Sequence, residues 1–222
     1  MERKSSRTDM VSDADRDAEA LVQGMLAAER PEDGLLAEEG SSRDASSGRR
    51  WVVDPLDGTT NFLYGFPAWN VSVALEDAGG GLVGVVFDPL RAETFTAIRG
   101  QGSSLNGSRL QVGTGDRLDT ALVATGFGYD AERRAAQANL LATVLPRVRD
   151  IRRAGAAALD LCWLAAGRVD GYYERGLQHW DWAAASLIAS EAGATVKSLE
   201  GEPEGLMAAA PGIAEALYEL VS

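Results

Sequence analysis

The chain has 222 residues, of which 45% are hydrophobic, so it can bury a core in one domain, with room for two lobes. Its formal net charge of -12 argues against a nucleic-acid partner and an anionic membrane surface, since both call for a basic face. Cys162 is the only cysteine, which excludes an intramolecular disulfide and a cysteine-based zinc site. No apolar run could span a bilayer and the opening segment lacks a signal peptide's apolar stretch, so we expect a cytoplasmic protein.

The first half of the chain predicts a helix followed by antiparallel strands. Asp13 precedes a run of apolar residues at helical spacing, and Pro31 ends that helix. A short strand-like segment, GLLAE, and a polar surface loop, Gly40–Arg50, follow. Short apolar or alternating segments then predict an antiparallel sheet from about Trp51 to Val112; they are WVVD, NVSVALE, GLVGVVFDP and ETFTAIRG.

The second half predicts alternating helices and strands, which is typical of an α/β arrangement. The predicted helices are Asp130–Leu145, Ala156–Ala166, Trp182–Ala192 and Pro211–Val221, and the predicted strands include ALVAT, GYYE and ATVKS. No internal repeat or interdomain linker is visible. We therefore expect one domain over residues 1–222, with an N-terminal α+β lobe at about 1–120 and a C-terminal α/β lobe at about 121–222.

The densest chemistry lies in the segment DPLDGTTN, residues 54–61. Asp54 and Asp57 stand at a strand end that runs into a turn, so both carboxylates can point into one pocket. With the Leu56 carbonyl they offer three oxygen ligands of the kind that Mg²⁺ prefers. After Gly58, the amides and hydroxyls of the two following threonines could hold a phosphate at a helix N-terminus. Taken alone, DPLDG also fits an ordinary turn rich in aspartate.

Other acidic residues could complete such a site. Glu38 and Glu39 follow a short apolar run, although a pair of glutamates is most often solvated. Asp181 lies between two tryptophans at the start of an apolar helix, where an N-cap is the simpler interpretation. Asp15 is a further acid near the start of the first helix.

Several other sites can be excluded from the sequence. The repeat at Asp13, Asp15 and Asp17 begins like an EF-hand loop, but Ala18 and Gly24 occupy positions that require glycine and glutamate. There is no Walker A sequence, no G-x-G-x-x-G and no G-x-S-x-G elbow. Since His179 is the only histidine, a histidine-rich transition-metal site is excluded.

The segments WVVDPLDGTTNF and WDWAAASLIASEAGA closely resemble the two signature motifs of the inositol monophosphatase family. Weaker similarity in the same order extends from Lys4 to about Gly193, through KSSRTDMVSDAD, LLAEEG, FPAWNVSVAL, ETFTAIRGQG, RRAGAAALDLC and GRVDGYYE. The resemblance implies a layered αβαβα sandwich of the inositol monophosphatase and fructose-1,6-bisphosphatase type. It also implies a lithium-sensitive phosphatase that uses two or three Mg²⁺ ions, and a homodimer.

The resemblance also assigns roles to individual residues. Glu38, Asp54, Asp57, Asp181 and the Leu56 carbonyl correspond to metal ligands. Glu38 also corresponds to the residue that bridges metal and attacking water, and Thr59 with Asp15 to the pair that polarises this water. Gly58 and Thr60 correspond to phosphate contacts, and Glu174 to the acid that binds substrate hydroxyls.

The sequence departs from the family pattern at several points, none of which removes a ligand. Ala37 stands where glycine is usual, Ser12 where threonine is usual, and Ala183-Ala184-Ala185 where the small-residue run usually has a glycine. The family usually has a helix before the Lys4 segment. Without it we expect an apolar strip on the neighbouring helices, a poorly anchored Met1–Arg7 and a truncated chain or a misplaced start.

These features predict hydrolysis of a small phosphate monoester, with inositol monophosphate as the expected substrate. Thr60, Asn61, Phe62 and Glu174 favour it over the nucleotide substrates of related enzymes. Histidinol phosphate and fructose 1,6-bisphosphate are alternative substrates. A catalytically weak regulatory or binding protein is an alternative of another class, and the complete ligand set argues against it.

Overall fold

The computed structural model describes residues 2–3, 10–11 and 13–222, with side chains from residue 13 onward. Two large β-sheets organise this part of the chain, and β1 and β2 form a third, two-stranded sheet. The strands are β1 Glu2–Arg3, β2 Met10–Val11, β3 Gly34–Ala37, β4 Ser42–Arg43, β5 Arg50–Asp57, β6 Asn70–Asp77, β7 Gly80–Asp88, β8 Glu93–Ile98, β9 Gly102–Leu105, β10 Ser108–Arg109, β11 Leu122–Thr125, β12 Asp150–Arg152, β13 Gly171–Arg175, β14 Thr195–Leu199 and β15 Gly205–Ala209. The helices are α1 Asp13–Glu29, α2 Thr59–Tyr64, α3 Ala131–Val144, α4 Ala157–Ala165, α5 His179–Glu191 and α6 Ala214–Val221, with 3-10 turns at Leu118–Thr120 and Leu145–Arg147.

The larger sheet has eight strands in the order β10-β9-β8-β7-β6-β5-β3-β4. From β5 to β10 each strand pairs antiparallel with the next, as the alternating pattern predicts. The expected boundary at Trp51 is wrong, because β3 joins the sheet by pairing parallel with β5. The expected loop Gly40–Arg50 is also partly wrong, since β4 lies within it and pairs with β3, and Arg50 begins β5.

The second sheet has the order β12-β11-β13-β15-β14 and is mixed, with parallel pairs around β11 and antiparallel pairs around β15. Helices α4 and α5 fill the space between the two sheets. Helices α3 and α6 cover the outer face of the second sheet, and α1 packs on the outer face of the first. The layers therefore run α, β, α, β, α, which confirms the predicted fold class.

The predicted helices are present, with small differences at their ends. Two predicted starts are wrong by three residues: α6 begins at Ala214 rather than at Pro211, and α5 begins at His179 rather than at Trp182. Gln178 and Asp181 form a reciprocal capping box that extends the helix by its first turn. Asp181 is therefore inside this turn, not at the N-cap. No described helix is both long and apolar enough to cross a membrane.

Helix α5 lies very close to β7 because small residues face each other. Ala183, Ala184 and Ala185 are buried on this helix. A Cβ atom on Gly84 of β7 would lie 2.6 Å from the Ala184 carbonyl oxygen, which is backbone and cannot rotate away. The absence of a side chain at Gly84 thus sets the distance between the sheet and the helix that carries Asp181.

Leu21 and Met25, on the outer side of α1, are 66% and 55% exposed. From the sequence we expect an uncovered apolar strip on helices near the start of the chain, and exposed apolar side chains are what such a strip requires. Within Met1–Arg7, Glu2–Arg3 pairs with Met10–Val11. The remainder of Met1–Arg7, which includes Lys4, is outside the described residues, and so is Ser12.

Gly84→Ala should lower the free energy of unfolding by about 1–3 kcal/mol, because overpacking forces α5 away from β7. The matched control is Gly24→Ala on α1, where a Cβ atom would meet nothing within 4 Å. Alanine is the better helix former, so this control should match or exceed the wild type. Denaturant unfolding of the three proteins checks the prediction. Equal stabilities for Gly84→Ala and the wild type would contradict it.

Candidate active site

A cavity of about 410 Å³ lies where the two sheets and helices α4 and α5 meet. Its walls include all five predicted metal-ligand residues: Glu38, Asp54, Leu56, Asp57 and Asp181. Gly58, Thr59 and Glu174 line it as well. Asp15 and Thr60 do not line it, although both are next to residues that do.

Asp54 and Asp57 are fixed at the end of β5 by nearby N–H groups. The strand register shifts between these two residues, so the backbone bends there. The Leu56 amide donates to Asp54 Oδ1 at 3.0 Å. Asp57 Oδ2 accepts from the Asn70 side-chain amide at 2.7 Å and from the Ala158 backbone amide at 2.9 Å. Helix α4 and strand β6 therefore both hold the Asp57 carboxylate in place.

Burial and mutual repulsion raise the pKa of these acids. Burial raises the pKa of Asp54 well above its usual value, and the charges of Glu38, Asp57 and Asp181 add to the effect. Burial raises the pKa of Asp57 to about 6, although the hydrogen bonds from Asn70 and Ala158 oppose the rise. The pKa of Asp181 is also raised well above its usual value, by burial and then by Asp57. The cavity thus concentrates acids whose ionised forms the protein alone does not stabilise.

Thr59 connects the turn to the first helix. Its hydroxyl lies 2.9 Å from Asp15 Oδ1 and 3.1 Å from the Leu56 carbonyl, so it can donate to either oxygen. Asp15 is fully buried on α1. Gly58 precedes α2 with φ +89°, and a Cβ atom there would lie 2.9 Å from the Ala68 carbonyl. Glycine at this position therefore allows both the left-handed backbone and the close approach of Ala68, which lies just before β6.

The side chains of the next two residues, Thr60 and Asn61, do not line the cavity. The Thr60 hydroxyl is buried and has no hydrogen-bond partner among the described residues. The Asn61 side-chain amide donates to three backbone carbonyls: Ala68 at 2.6 Å, Ala154 at 2.9 Å and Gly155 at 3.2 Å. Asn61 thus connects α2 to the segment before α4.

Glu38 is positioned by a residue that the sequence did not single out. Glu19, buried on α1, accepts from the Glu39 amide at 2.7 Å and from the Ser41 amide at 3.0 Å. The Glu38 amide donates to the Val53 carbonyl at 3.2 Å. These contacts fix the turn between β3 and β4. Glu19 is four residues after Asp15 and therefore lies on the same face of α1. This spacing of two acids is the feature of the sequence that could have indicated a role for Glu19.

Asp181 is held by the start of α5. Its Oδ2 accepts from the Gln178 amide at 2.7 Å. His179 Nε2 lies 2.7 Å from Glu76 Oε1 on β6, and Arg50 on β5 forms an ion pair with the other oxygen of Glu76 at 2.9 Å. The first turn of α5 is thereby connected to β5 and β6 of the larger sheet.

Glu174 lies on β13 at the opposite side of the cavity from β5. Its Oε2 accepts from the Tyr172 hydroxyl at 2.8 Å. Burial raises the pKa of Glu174 to about 7, and hydrogen bonding from Tyr172 and the charge of Arg153 limit the rise. Near neutral pH this side chain can accept, and when protonated donate, a hydrogen bond.

The donor set of the cavity fits hard cations such as Mg²⁺, because four carboxylates and one carbonyl supply only oxygen. The described side chains hold no preformed group of three His, Cys, Asp or Glu residues at metal-binding spacing. The raised pKa values show that positive charge in this cavity would be stabilising.

The fold and the sequence are both similar to known proteins. The structure superposes on the crystal structure of the extragenic suppressor protein suhB from Bartonella henselae with a TM-score of 0.92 and 40% identity, over 99% of this chain and 88% of that one. An inositol-1-monophosphatase of Mycobacterium bovis is 46% identical over 227 residues, 96% of this chain and 78% of the relative. The protein named Nus factor SuhB of Escherichia coli is 43% identical over 195 residues, 87% of this chain and 73% of the relative.

These similarities define the class of the chain, which is a phosphatase. The model of the inositol monophosphatase family matches residues 1–221. The chain therefore belongs to the inositol monophosphatase family.

Glu174→Gln should make the stability of the metal-free protein less dependent on pH. The folded-state pKa of Glu174 is raised from 4.5 to about 7, so the native state binds the proton more tightly than the unfolded chain. The contribution of Glu174 to stability is therefore most favourable at low pH and is lost as the pH rises through this window. Relative to Glu174→Gln, the wild type should lose on the order of 1–3 kcal/mol of unfolding free energy by pH 8.

Denaturant unfolding in EDTA at about pH 5 and about pH 8 measures this difference. Asp44→Asn, at an exposed loop position, is the control and should behave as the wild type. If Glu174→Gln and the wild type lose stability equally over this range, Glu174 does not titrate as stated.

Proposed function

We propose that this chain hydrolyses a small phosphate monoester, and that inositol monophosphate is its substrate. The observation that carries this proposal is the group of buried carboxylates with raised pKa values around one 410 Å³ cavity. The name of the Mycobacterium bovis relative supports the choice of substrate. The cavity volume is in the range of small-molecule sites.

Five residues would hold the cations: Glu38, Asp54, Asp57, Asp181 and Leu56 through its carbonyl. We expect two or three Mg²⁺ ions. When bound, they offset the charge of the phosphate dianion, lower the pKa of water and stabilise the leaving alkoxide. The protein's contribution is to keep these oxygens together against their repulsion through the amides around Asp54 and Asp57.

Thr59 and Asp15 would orient and polarise the attacking water, together with Glu38. When the Thr59 hydroxyl donates to Asp15 at 2.9 Å, its lone pairs are free to accept a hydrogen bond from water. The proton that the water loses would pass to Thr59 as the Thr59 proton passes to Asp15. Asp15 is buried and acts only through Thr59. No phosphorylated enzyme intermediate is required, because water attacks the phosphorus directly.

Gly58 and Thr60 would contact the phosphate. Amides of the first turn of a helix have no intrahelical acceptor, and no side chain caps the N-terminus of α2, so these amides are available to an anion. Thr60 would contribute its backbone amide only, since its hydroxyl is buried outside the cavity lining. Glu174, at the other side of the cavity, would bind a substrate hydroxyl.

The alternatives differ in what they need from this cavity. Histidinol phosphate and fructose 1,6-bisphosphate carry the same scissile phosphate and differ in the part that faces Glu174. The name of the Escherichia coli relative, Nus factor SuhB, raises the alternative of a regulatory role. Such a role needs no turnover. Mg²⁺-dependent phosphate release from a panel of these esters separates the possibilities.

We further propose a single phosphatase domain with lobes at about 1–120 and about 121–222, since β5 and the start of α2 supply one wall of the cavity and α5 and β13 the other. From family membership we also propose that the protein is located in the cytoplasm and that it forms a homodimer. The net charge of -12 argues against nucleic-acid and membrane partners.

Asp57→Asn should abolish turnover and leave the fold intact, because it removes ligand charge but little volume. Losing the hydrogen-bonding partner of a metal ligand typically costs 10–100-fold, so losing a ligand should cost more than about a hundredfold in kcat. Glu174→Gln should mainly raise KM instead. Steady-state kinetics with inositol 1-phosphate, and Asp44→Asn as an exposed control, distinguish the roles. Equal loss of kcat with unchanged KM in both variants would contradict them.

Lithium should inhibit by competition with Mg²⁺ at one of its positions. A small monovalent ion fits an oxygen cage of this kind but supplies too little charge to stabilise the leaving group. Phosphate release is measured across a lithium titration at limiting Mg²⁺, with potassium at equal ionic strength as the control. Identical rates in the two salts would contradict the prediction.

A further inference from the structure

The carboxylate of Glu174 occupies the place where a side chain at position 126 would lie. Gly126 directly follows β11, which pairs parallel with β13 up to the partners Thr125 and Tyr173. The next residues along the two strands, Gly126 and Glu174, are therefore neighbours. A Cβ atom on Gly126 would lie 1.9 Å from Glu174 Oε2 and 2.2 Å from its Cδ, far inside van der Waals contact. Any side chain at position 126 would exclude the carboxylate.

The backbone does not explain the glycine at this position. Gly126 does not have a φ in the left-handed region, unlike Gly155 and Gly176, which line the same cavity. The sign of its φ therefore does not require glycine. What requires glycine here is the space that the Glu174 carboxylate fills.

The same carboxylate is held from its other side by Tyr172. The Tyr172 ring is fully buried, and its hydroxyl donates to Glu174 Oε2 at 2.8 Å. Glu174 Oε1 has no hydrogen-bond partner among the described residues, and Glu174 lines the cavity. Tyr172 thus holds one oxygen, Gly126 leaves room for the whole carboxylate, and the second oxygen is available to a ligand.

We propose that Gly126 is a positioning residue that determines where the protein places its hydroxyl-binding carboxylate. This inference rests on the function proposed above, in which Glu174 binds a substrate hydroxyl. It predicts that a single methyl group at position 126 changes selectivity among phosphate esters, because it moves Glu174 and leaves the acids on β5 and α5 in place.

Gly126→Ala is tested with two substrates, inositol 1-phosphate and p-nitrophenyl phosphate, of which only the first has ring hydroxyls. Misplacing one hydrogen bond to a charged group should lower kcat/KM for inositol 1-phosphate by about ten- to a hundredfold, mainly through KM. The loss for p-nitrophenyl phosphate should be much smaller. Gly24→Ala, where a Cβ atom would meet nothing within 4 Å, is the matched control and should leave the ratio of the two substrates as in the wild type.

Glu174→Asp provides a rescue experiment. Aspartate is one methylene shorter, so it withdraws the carboxylate from the methyl group that Gly126→Ala introduces. The double variant Gly126→Ala, Glu174→Asp should therefore discriminate between the two substrates better than Gly126→Ala alone, although Glu174→Asp by itself weakens inositol 1-phosphate binding. Strictly additive losses in the two changes would overturn the inference, because coupled neighbours must deviate from additivity.

A crystal structure of Gly126→Ala gives a result that does not depend on activity. Displacement of the Glu174 carboxylate supports the inference whether or not the wild type is active. A wild type that hydrolyses neither ester would refute only the proposed function. An unmoved carboxylate, or equal losses for both esters with an active wild type, would overturn it.

Discussion

Repulsion among carboxylates in one largely buried cavity is the constraint on which the rest of the structure depends. Burial and the neighbouring charges both disfavour ionisation, which is why the pKa values of Asp54, Asp57 and Asp181 are raised. The fold tolerates this cost because N–H donors hold the oxygens in place. Those donors come from four separate segments: the Leu56, Ala158 and Gln178 backbone amides and the Asn70 side chain. The site is therefore a property of the whole fold and not of one loop.

The layered architecture brings these segments together at the junction of its two halves. Strand β5 and the start of α2 supply one wall, and α4, α5 and β13 supply the other. Small residues make the junction tight, since α5 lies against β7 where Gly84 has no side chain. Glycine acts in the same way at Gly126, where the missing side chain makes room for Glu174. Two close approaches at glycines thus position an acid at each side of the cavity.

The sequence predicts the parts of this site that depend on local motifs. The Asp54 turn, the α2 start at Thr59 and the layered fold follow from continuous segments that resemble a family. Contacts between distant segments do not follow, such as Glu19 with the turn after Glu38, because periodicity shows only that a helix face is polar. The mixed first sheet was missed for a similar reason, since a four-residue strand such as β3 does not reveal which neighbour it will pair with. The α5 start was missed because Gln178 is a weaker signal than the usual capping residues.

The most direct test of this account is calorimetric titration of the purified chain with Mg²⁺ at about pH 6, in buffers of different ionisation enthalpy. Acids with raised pKa values are partly protonated at this pH, and cation binding favours their ionised forms. The account predicts saturable binding accompanied by proton release, and weakening of both by Asp57→Asn. The absence of saturable Mg²⁺ binding, or binding without proton release, would contradict it.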